Sequence, residues 1–263
     1  MNQGRWTAIL LAGQRPGIDP LAQAFGETWK ALVRVDGEAM LSRVAKTLLA
    51  SPSIGRILVV AQQPEALLVG DCAWLAHERR VATAVSSSGI AVSVAALAGS
   101  AQAPWPVLVT TADHPLLKPA MIEAAIAGTA NADLAVGVVS SRTLLAAYPD
   151  NRRTWLKFRG GAWTGANLFA LTSERARGAL LAWSEVERDR KKAFKLIWHF
   201  GPLLALRAAT RTITLGAALA KAGARLGAIV RPVDLPFAEA GIDVDKPSDH
   251  ALAERILAVR KGA

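Results

Sequence analysis

The chain has 263 residues and a formal net charge of +10, with 52% hydrophobic and 20% charged residues. That balance excludes a disordered or low-complexity chain and supplies enough apolar side chain for a sizeable core. The positive charge implies attraction to phosphates, but Lys and Arg are spread along the chain with neither a basic tail nor zinc-finger spacing, so small phosphate ligands are expected and nucleic acid is not.

Thr7 to Leu11 is an apolar run closed by Gly13 and reads as a buried strand, too short for a signal h-region or a membrane span. Ala39 to Leu49 carries apolar residues at helical spacing, and Ser51-Pro52-Ser53 ends it. Strands follow at Arg56 to Ala61 and Val81 to Val85, a helix at Gly89 to Ala98, and a strand at Pro106 to Thr110. Pro119 suits the first turn of a helix, and Asp133 to Val139 continues the strands. The pattern changes after Ser140: Arg152 to Leu171 reads as strands rich in Trp, Arg and Gly, and Ser173 to about Leu206 as helix. Ala228 to Val233 and Ser248 to Val259 return to strand and helix. The alternation predicts a mostly parallel sheet covered by helices on both faces, in one domain over 1–263: an alternating first half (1–139), a portion of strands with a helical insertion (140–227), and a C-terminal strand and helix (228–263). Cys72 is the single cysteine, which rules out an internal disulfide and fits a reducing cytoplasm.

Ligands of such sheets bind at the carboxyl ends of the strands. After the first strand comes Leu11-Ala12-Gly13-Gln14-Arg15-Pro16-Gly17, with Lys30 later; the glycines permit close approach of a phosphate, and the two cations suit a triphosphate. These residues resemble the opening of nucleotidyltransferases of the molybdenum-cofactor guanylyltransferase type, a Leu-Ala-Gly-Gly followed by Arg, Gly and Lys. Gln14 stands where the family usually has a second glycine, and the stretch from Ile18 to Trp29 is longer than the common spacing.

Asp113 lies just past an apolar strand, in Thr111-Ala112-Asp113-His114-Pro115, and Asp243 and Asp245 precede the last helix in Gly241-Ile242-Asp243-Val244-Asp245-Lys246-Pro247. Taken singly each acid is explained as a turn or helix cap. In this order, with the first loop, they match the same family at three points. The resemblance implies Asp113 as principal Mg²⁺ ligand, Asp243 or Asp245 as the second, and Arg15 and Lys30 on the leaving pyrophosphate. His114 reads as structural.

Ser86-Ser87-Ser88-Gly89-Ile90-Ala91-Val92-Ser93-Val94 joins a strand to a helix and partly resembles the glycine-rich segment of cytidylyltransferases of the methylerythritol phosphate type, without its Arg. Ser88, Gly89 and Ser93 are the base-side candidates, with Leu11, Ala12, Gly13 and Gly17 on the phosphates. On a strand, Arg153, Trp155, Lys157 and Arg159 share one face and make a cationic wall suited to an anionic acceptor. The Gly165-Ala166-Asn167-Leu168-Phe169 segment looks like the family's acceptor-side strand, which adds Gly165 and Asn167.

Residues 191–207 combine lysines with large apolar groups broken by Gly201-Pro202; a packed insertion or subunit contact is the main expectation, with peripheral membrane contact as the other. The resemblance implies the three-layer α/β/α nucleotidyltransferase fold, with a mixed, mostly parallel sheet and a helical insertion, and an Mg²⁺-dependent transfer from a nucleoside triphosphate to a small phosphorylated acceptor. CTP and a phosphoglycerate or polyol phosphate for lipid head-group activation are the leading expectation. The alternatives are guanylyl transfer to a pterin phosphate, transfer to a sugar phosphate, and a non-catalytic nucleotide-binding or membrane-docking protein.

Overall fold

Trp6–Leu11 forms β1, in which Ala8 and Leu10 pack into one apolar cluster and Ile9 into another on the opposite face. Burial on both faces is why the run is apolar throughout instead of alternating with polar residues. The computed structural model describes residues 5–14, 17–87, 89–188 and 202–262. Arg15 and Ser88, both named above as site candidates, lie outside the described residues, as do 191–201 of the basic apolar segment.

Helix α1 (Pro20–Ala24) starts where the Asp19 carboxylate accepts the N–H groups of Leu21 and Ala22 at 2.9 and 3.0 Å. Strands β2 (Arg34–Val35) and β3 (Glu38–Ala39) form a hairpin whose turn residues, Asp36 and Gly37, both have left-handed backbones, with φ of 55° and 76°. Helix α2 (Met40–Ala50) follows, burying Met40, Leu41, Val44, Ala45 and Leu48 along one side. Next come β4 (Ile54–Ala61), β5 (Val81–Val85), α3 (Ile90–Leu97), β6 (Val107–Thr111) and α4 (Pro119–Ala127), which begins on its proline as expected. The chain continues as β7 (Leu134–Ser140), α5 (Ser141–Ala147), β8 (Leu156–Phe158), β9 (Gly161–Leu171) and α6 (Arg177–Arg188). Helices α7 (Pro202–Ala209) and α8 (Leu215–Arg225), strand β10 (Val230–Asp234) and helix α9 (Pro247–Gly262) complete it.

The main sheet has the order β10-β7-β9-β6-β1-β4-β5, with β8 paired to β9. Every neighbouring pair is parallel except those involving β9, which runs antiparallel to β6, β7 and β8. One face is covered by α2, α4 and α9, with Leu10, Val59 and Leu108 beneath them. The other carries α3, α6 and α8 over Ile9, Leu58 and Val109. This is the expected three-layer arrangement. Each fully buried Leu or Ile contributes about 1.5–3 kcal/mol relative to exposure.

The expected helical insertion is represented by α6 and α7. Leu203 and Leu206 on α7 are exposed, and no described helix is long and apolar enough to cross a membrane.

Helix α4 is tied to the turn between α2 and β4 by one carboxylate. Glu123 accepts hydrogen bonds from the Ser51 hydroxyl, from the Ser53 hydroxyl at 2.5 Å and from the Ser53 N–H at 3.2 Å. Burial works to raise the Glu123 carboxyl, but the bonds from Ser51 and Ser53 outweigh it and hold the group below its ordinary range. A lowered folded-state value gives stability that is present above the unfolded carboxyl's titration and lost as pH falls through the folded one. Glu123→Gln should therefore be less stable than the parent near pH 7, with the gap closing as urea titrations move down through the acid range.

Candidate active site

The carboxyl ends of β1, β4, β5 and β6 lie side by side, so the segments that follow them share one edge of the sheet. Asp113 stands two residues past β6. The Val244 N–H donates to the Asp113 carbonyl at 2.8 Å, which brings the second acidic segment against the first.

Lys30 enters from the short 3₁₀ turn Lys30–Leu32. Its Nζ donates to Asp113 Oδ2 at 2.6 Å and to Asp245 Oδ1, so one ammonium spans two carboxylates. Burial acts to lower the Lys30 pKa; Asp113 and Asp245 outweigh it, and the net direction is upward, so the amine is charged at neutral pH.

Asp243 is held differently. Arg153 donates one NH group to its carboxylate and another to its carbonyl at 2.9 Å, and Asn167 Nδ2 reaches Asp243 Oδ2 at 3.3 Å. Burial raises the Asp243 carboxyl, Arg153 opposes it, and Asp113 and Asp245 push it further up. Asn167 sits at a register shift of β9 with φ of 49°, and Gly137 on β7 makes the room: a Cβ there would lie 3.0 Å from the Leu168 carbonyl. The bulge turns the Asn167 amide toward Asp243.

This corrects the expected cationic wall. The strand begins at Leu156, so Arg153 and Trp155 precede it, and the Arg153 side chain, 10% exposed, is drawn in toward Asp243 and Asp249. Lys157 and Arg159 are exposed, and Gly165 on β9 faces open space.

At the first loop, Leu11 and Ala12 continue the parallel pairing, Ala12 N–H donating to the Val60 carbonyl at 2.9 Å. Gly17 has the left-handed φ of 102°. At the loop expected to face the base, Gly89 is the N-cap residue of α3 and Ser93 is buried. The Ser93 hydroxyl donates to the Gly89 carbonyl at 2.7 Å and accepts from the Ser87 N–H at 2.9 Å, so it holds the loop's shape.

Two residues at this edge escaped the sequence reading: Gln62, just past β4, which binds the Gln14 backbone, and Thr111, the last residue of β6, whose hydroxyl is buried with no partner among the described residues. The hydroxyl of Ser86, in the segment already noted, is buried in the same way. Their position at the ends of apolar strands was the available signal.

Whether Mg²⁺ fits can be judged from the donors. Asp113 Oδ1 is buried and accepts no hydrogen bond from the described residues, and the Asp113 and Asp245 carboxylates are already close enough to share one cation. Among the described residues no three His, Cys, Asp or Glu side chains form a metal-binding group. Mg²⁺ bound with phosphates needs only one or two carboxylates and takes its remaining oxygens from substrate and water, so the pair fits it. His114 adds no charge nearby: it is 1% exposed, and burial drives its pKa down to about 4.

The model of the MobA-like NTP transferase domain matches residues 8–195. A solved structure described as a hypothetical transferase from Thermus thermophilus is 28% identical with a TM-score of 0.77, covering 94% of this chain and 99% of that one. Two others share the fold. A CMP:2-keto-3-deoxy-manno-octonic acid synthetase complexed with CTP is 14% identical with a TM-score of 0.59, over 97% of this chain and 99% of that one. A 4-diphosphocytidyl-2C-methyl-D-erythritol synthase from Anaerococcus prevotii is 13% identical with a TM-score of 0.58, over 97% and 100%. By sequence alone, no curated protein matches the chain.

Removing Arg153 leaves Asp243 largely buried beside two other carboxylates with no cation of its own. Arg153→Met should cost about 3–5 kcal/mol in urea unfolding at pH 7, and adding Asp243→Asn should restore most of that loss.

Proposed function

The chain belongs to the MobA-like NTP transferase family and is a nucleotidyltransferase, and from that premise we propose that it transfers CMP from CTP to a small phosphorylated acceptor, releasing pyrophosphate. One observation carries the reading of the site: Lys30, Asp113 and Asp245, from three distant parts of the chain, meet at the carboxyl edge of the sheet.

In the proposed reaction an anionic acceptor oxygen forms a bond to the α-phosphorus, and the bond from that phosphorus to the oxygen bridging to the β-phosphate breaks. The leaving pyrophosphate takes the electron pair. A phosphate is already anionic at neutral pH, so the reaction asks for positioning and charge stabilisation and needs no strong base. Lys30 turns its ammonium from the carboxylates to the β- and γ-phosphates, and Arg15, assigned from sequence, assists it there. Mg²⁺ held by Asp113 and Asp245 would neutralise phosphate oxygens and favour departure of pyrophosphate. Asp243, already engaged by Arg153 and Asn167, fixes the Asp243–Asp245 segment in place.

Support for CTP comes from the partial cytidylyltransferase resemblance of Ser86 to Val94, and the CTP bound by one fold relative agrees with it. The acceptor approaches over Gly165, with the exposed Lys157 and Arg159 drawing its charge; a phosphoglycerate or polyol phosphate suits that surface. The family match and the Leu11-Ala12-Gly13 opening favour GTP and a pterin phosphate as the second reading.

Pyrophosphate release should be followed with CTP, GTP, ATP and UTP, each with Mg²⁺, against a panel of phosphorylated acceptors. Asp113→Ala is expected to lower kcat by about 100-fold or more, and Asp245→Asn should weaken the Mg²⁺ dependence more than Asp243→Asn does. Unchanged turnover and Mg²⁺ dependence in Asp113→Ala would sink the assignment, and GTP outrunning CTP would select the second reading.

A further inference from the structure

Between β1 and the turn at Lys30–Leu32 the chain makes a long excursion, and one side chain joins its two ends. Gln14 Oε1 accepts the Lys30 N–H at 2.9 Å, and Gln14 Nε2 donates to the Thr28 carbonyl at 3.2 Å, closing a loop across 16 positions. The Gln14 backbone is fixed in turn from the neighbouring strand. Its N–H donates to Gln62 Oε1 at 3.2 Å, and Gln62 Nε2 donates to its carbonyl at 2.7 Å.

Both amides thus use a donor and an acceptor. Gly13 is part of the same unit, because a Cβ there would lie 2.8 Å from Gln62 Oε1, too close for the Gln62 amide to keep its place. A glycine at position 14, the usual family residue, would keep the backbone bonds to Gln62 but lose both bonds to Thr28 and Lys30.

The excursion begins at a strand end and finishes at the residue whose ammonium spans Asp113 and Asp245. Ordering such a loop costs conformational entropy, and any part of that cost left until substrate arrives is subtracted from binding. The geometry points to Gln14 as a positioning residue that acts through Lys30, holding the Lys30 backbone so that its ammonium, resting on Asp113 and Asp245, is within reach of the phosphates when the nucleotide enters. This rests on the nucleotidyl-transfer reading. It also accounts for two departures at once: the longer excursion and the glutamine that crosses it.

A double-mutant cycle tests the claim. In pyrophosphate release, Gln14→Ala should lower kcat/KM for the nucleoside triphosphate by about ten-fold, and Lys30→Ala should lower it further. A residue acting through Lys30 has nothing left to act on once that side chain is gone, so the double variant should match Lys30→Ala within about two-fold. Losses that multiply, or an unchanged Gln14→Ala, would overturn the proposal. Gln14→Glu keeps the acceptor for the Lys30 N–H and should recover part of the loss.

Hydrogen exchange supplies a readout that needs no turnover. The Lys30 amide should exchange about ten-fold faster in both Gln14→Ala and Gln62→Ala, with the amides of β1 and β6 unmoved; equal exchange at Lys30 in parent and variants would overturn the clamp. A parent chain that released no pyrophosphate with any acceptor would count against the transferase reading, and the exchange at Lys30 would still decide the clamp.

Discussion

An ammonium largely withdrawn from water must find anions, and Lys30 finds two, Asp113 and Asp245, 83 and 215 positions further along the chain. The pairing requires the carboxyl ends of β1 and β6 and the segment before α9 to converge, so the sheet order is a precondition of the site. It also determines what the site can receive. Three carboxylates and a largely buried arginine are crowded together, and in the proposed reaction phosphate oxygens and a divalent cation would give Lys30, Asp113 and Asp245 new partners of the right sign.

The two acids of the C-terminal segment illustrate how similar residues divide labour. Asp243 is enclosed by Arg153 and Asn167, with a side-chain exposure of 26%, whereas Asp245 at 61% faces the open side of the site and shares Lys30 with Asp113. The Val244 N–H between them ties the segment to the Asp113 carbonyl, and the two acids differ in the partners they meet on either side of that tether. The alternation of a sequence row cannot separate them. The packing can.

Much of the architecture was legible because it rests on local physics. The apolar runs that became β1, β4, β6 and β7 are buried from both sides, those at the edge strands β5 and β10 are only partly covered, and Pro119 opens α4 where its fixed φ is tolerated. Some features were legible and missed, such as Asp19-Pro20 at the start of α1 and Asp36-Gly37 in the β2–β3 turn, whose residue types match their caps and dihedrals. Others were not local at all. The place of β9 between β6 and β7 is decided by pairing across the sheet, and the inward turn of Arg153 depends on a carboxylate 90 positions away, so a period-two count placed that arginine on an outer face. Gln14 stood out only as a departure from a motif. Its partners at Gln62, Thr28 and Lys30 give the departure a physical content.

The antiparallel β9 also bears on how the chain must be made. Until residues 161–171 emerge from the ribosome, β6 has β1 on one side and nothing on the other, and β7 has neither of its neighbours, since β10 comes later still. A nascent chain that has just completed Ser140 therefore displays an open strand edge at Val107 to Val109, the kind of surface that recruits foreign strands. Synthesis of β9 closes the edge of β6 and one of the two edges of β7 in a single event, leaving the other for β10. For this topology the interval between translating residue 111 and residue 171 is the period of greatest exposure to misassembly, and a pause in that interval would prolong it.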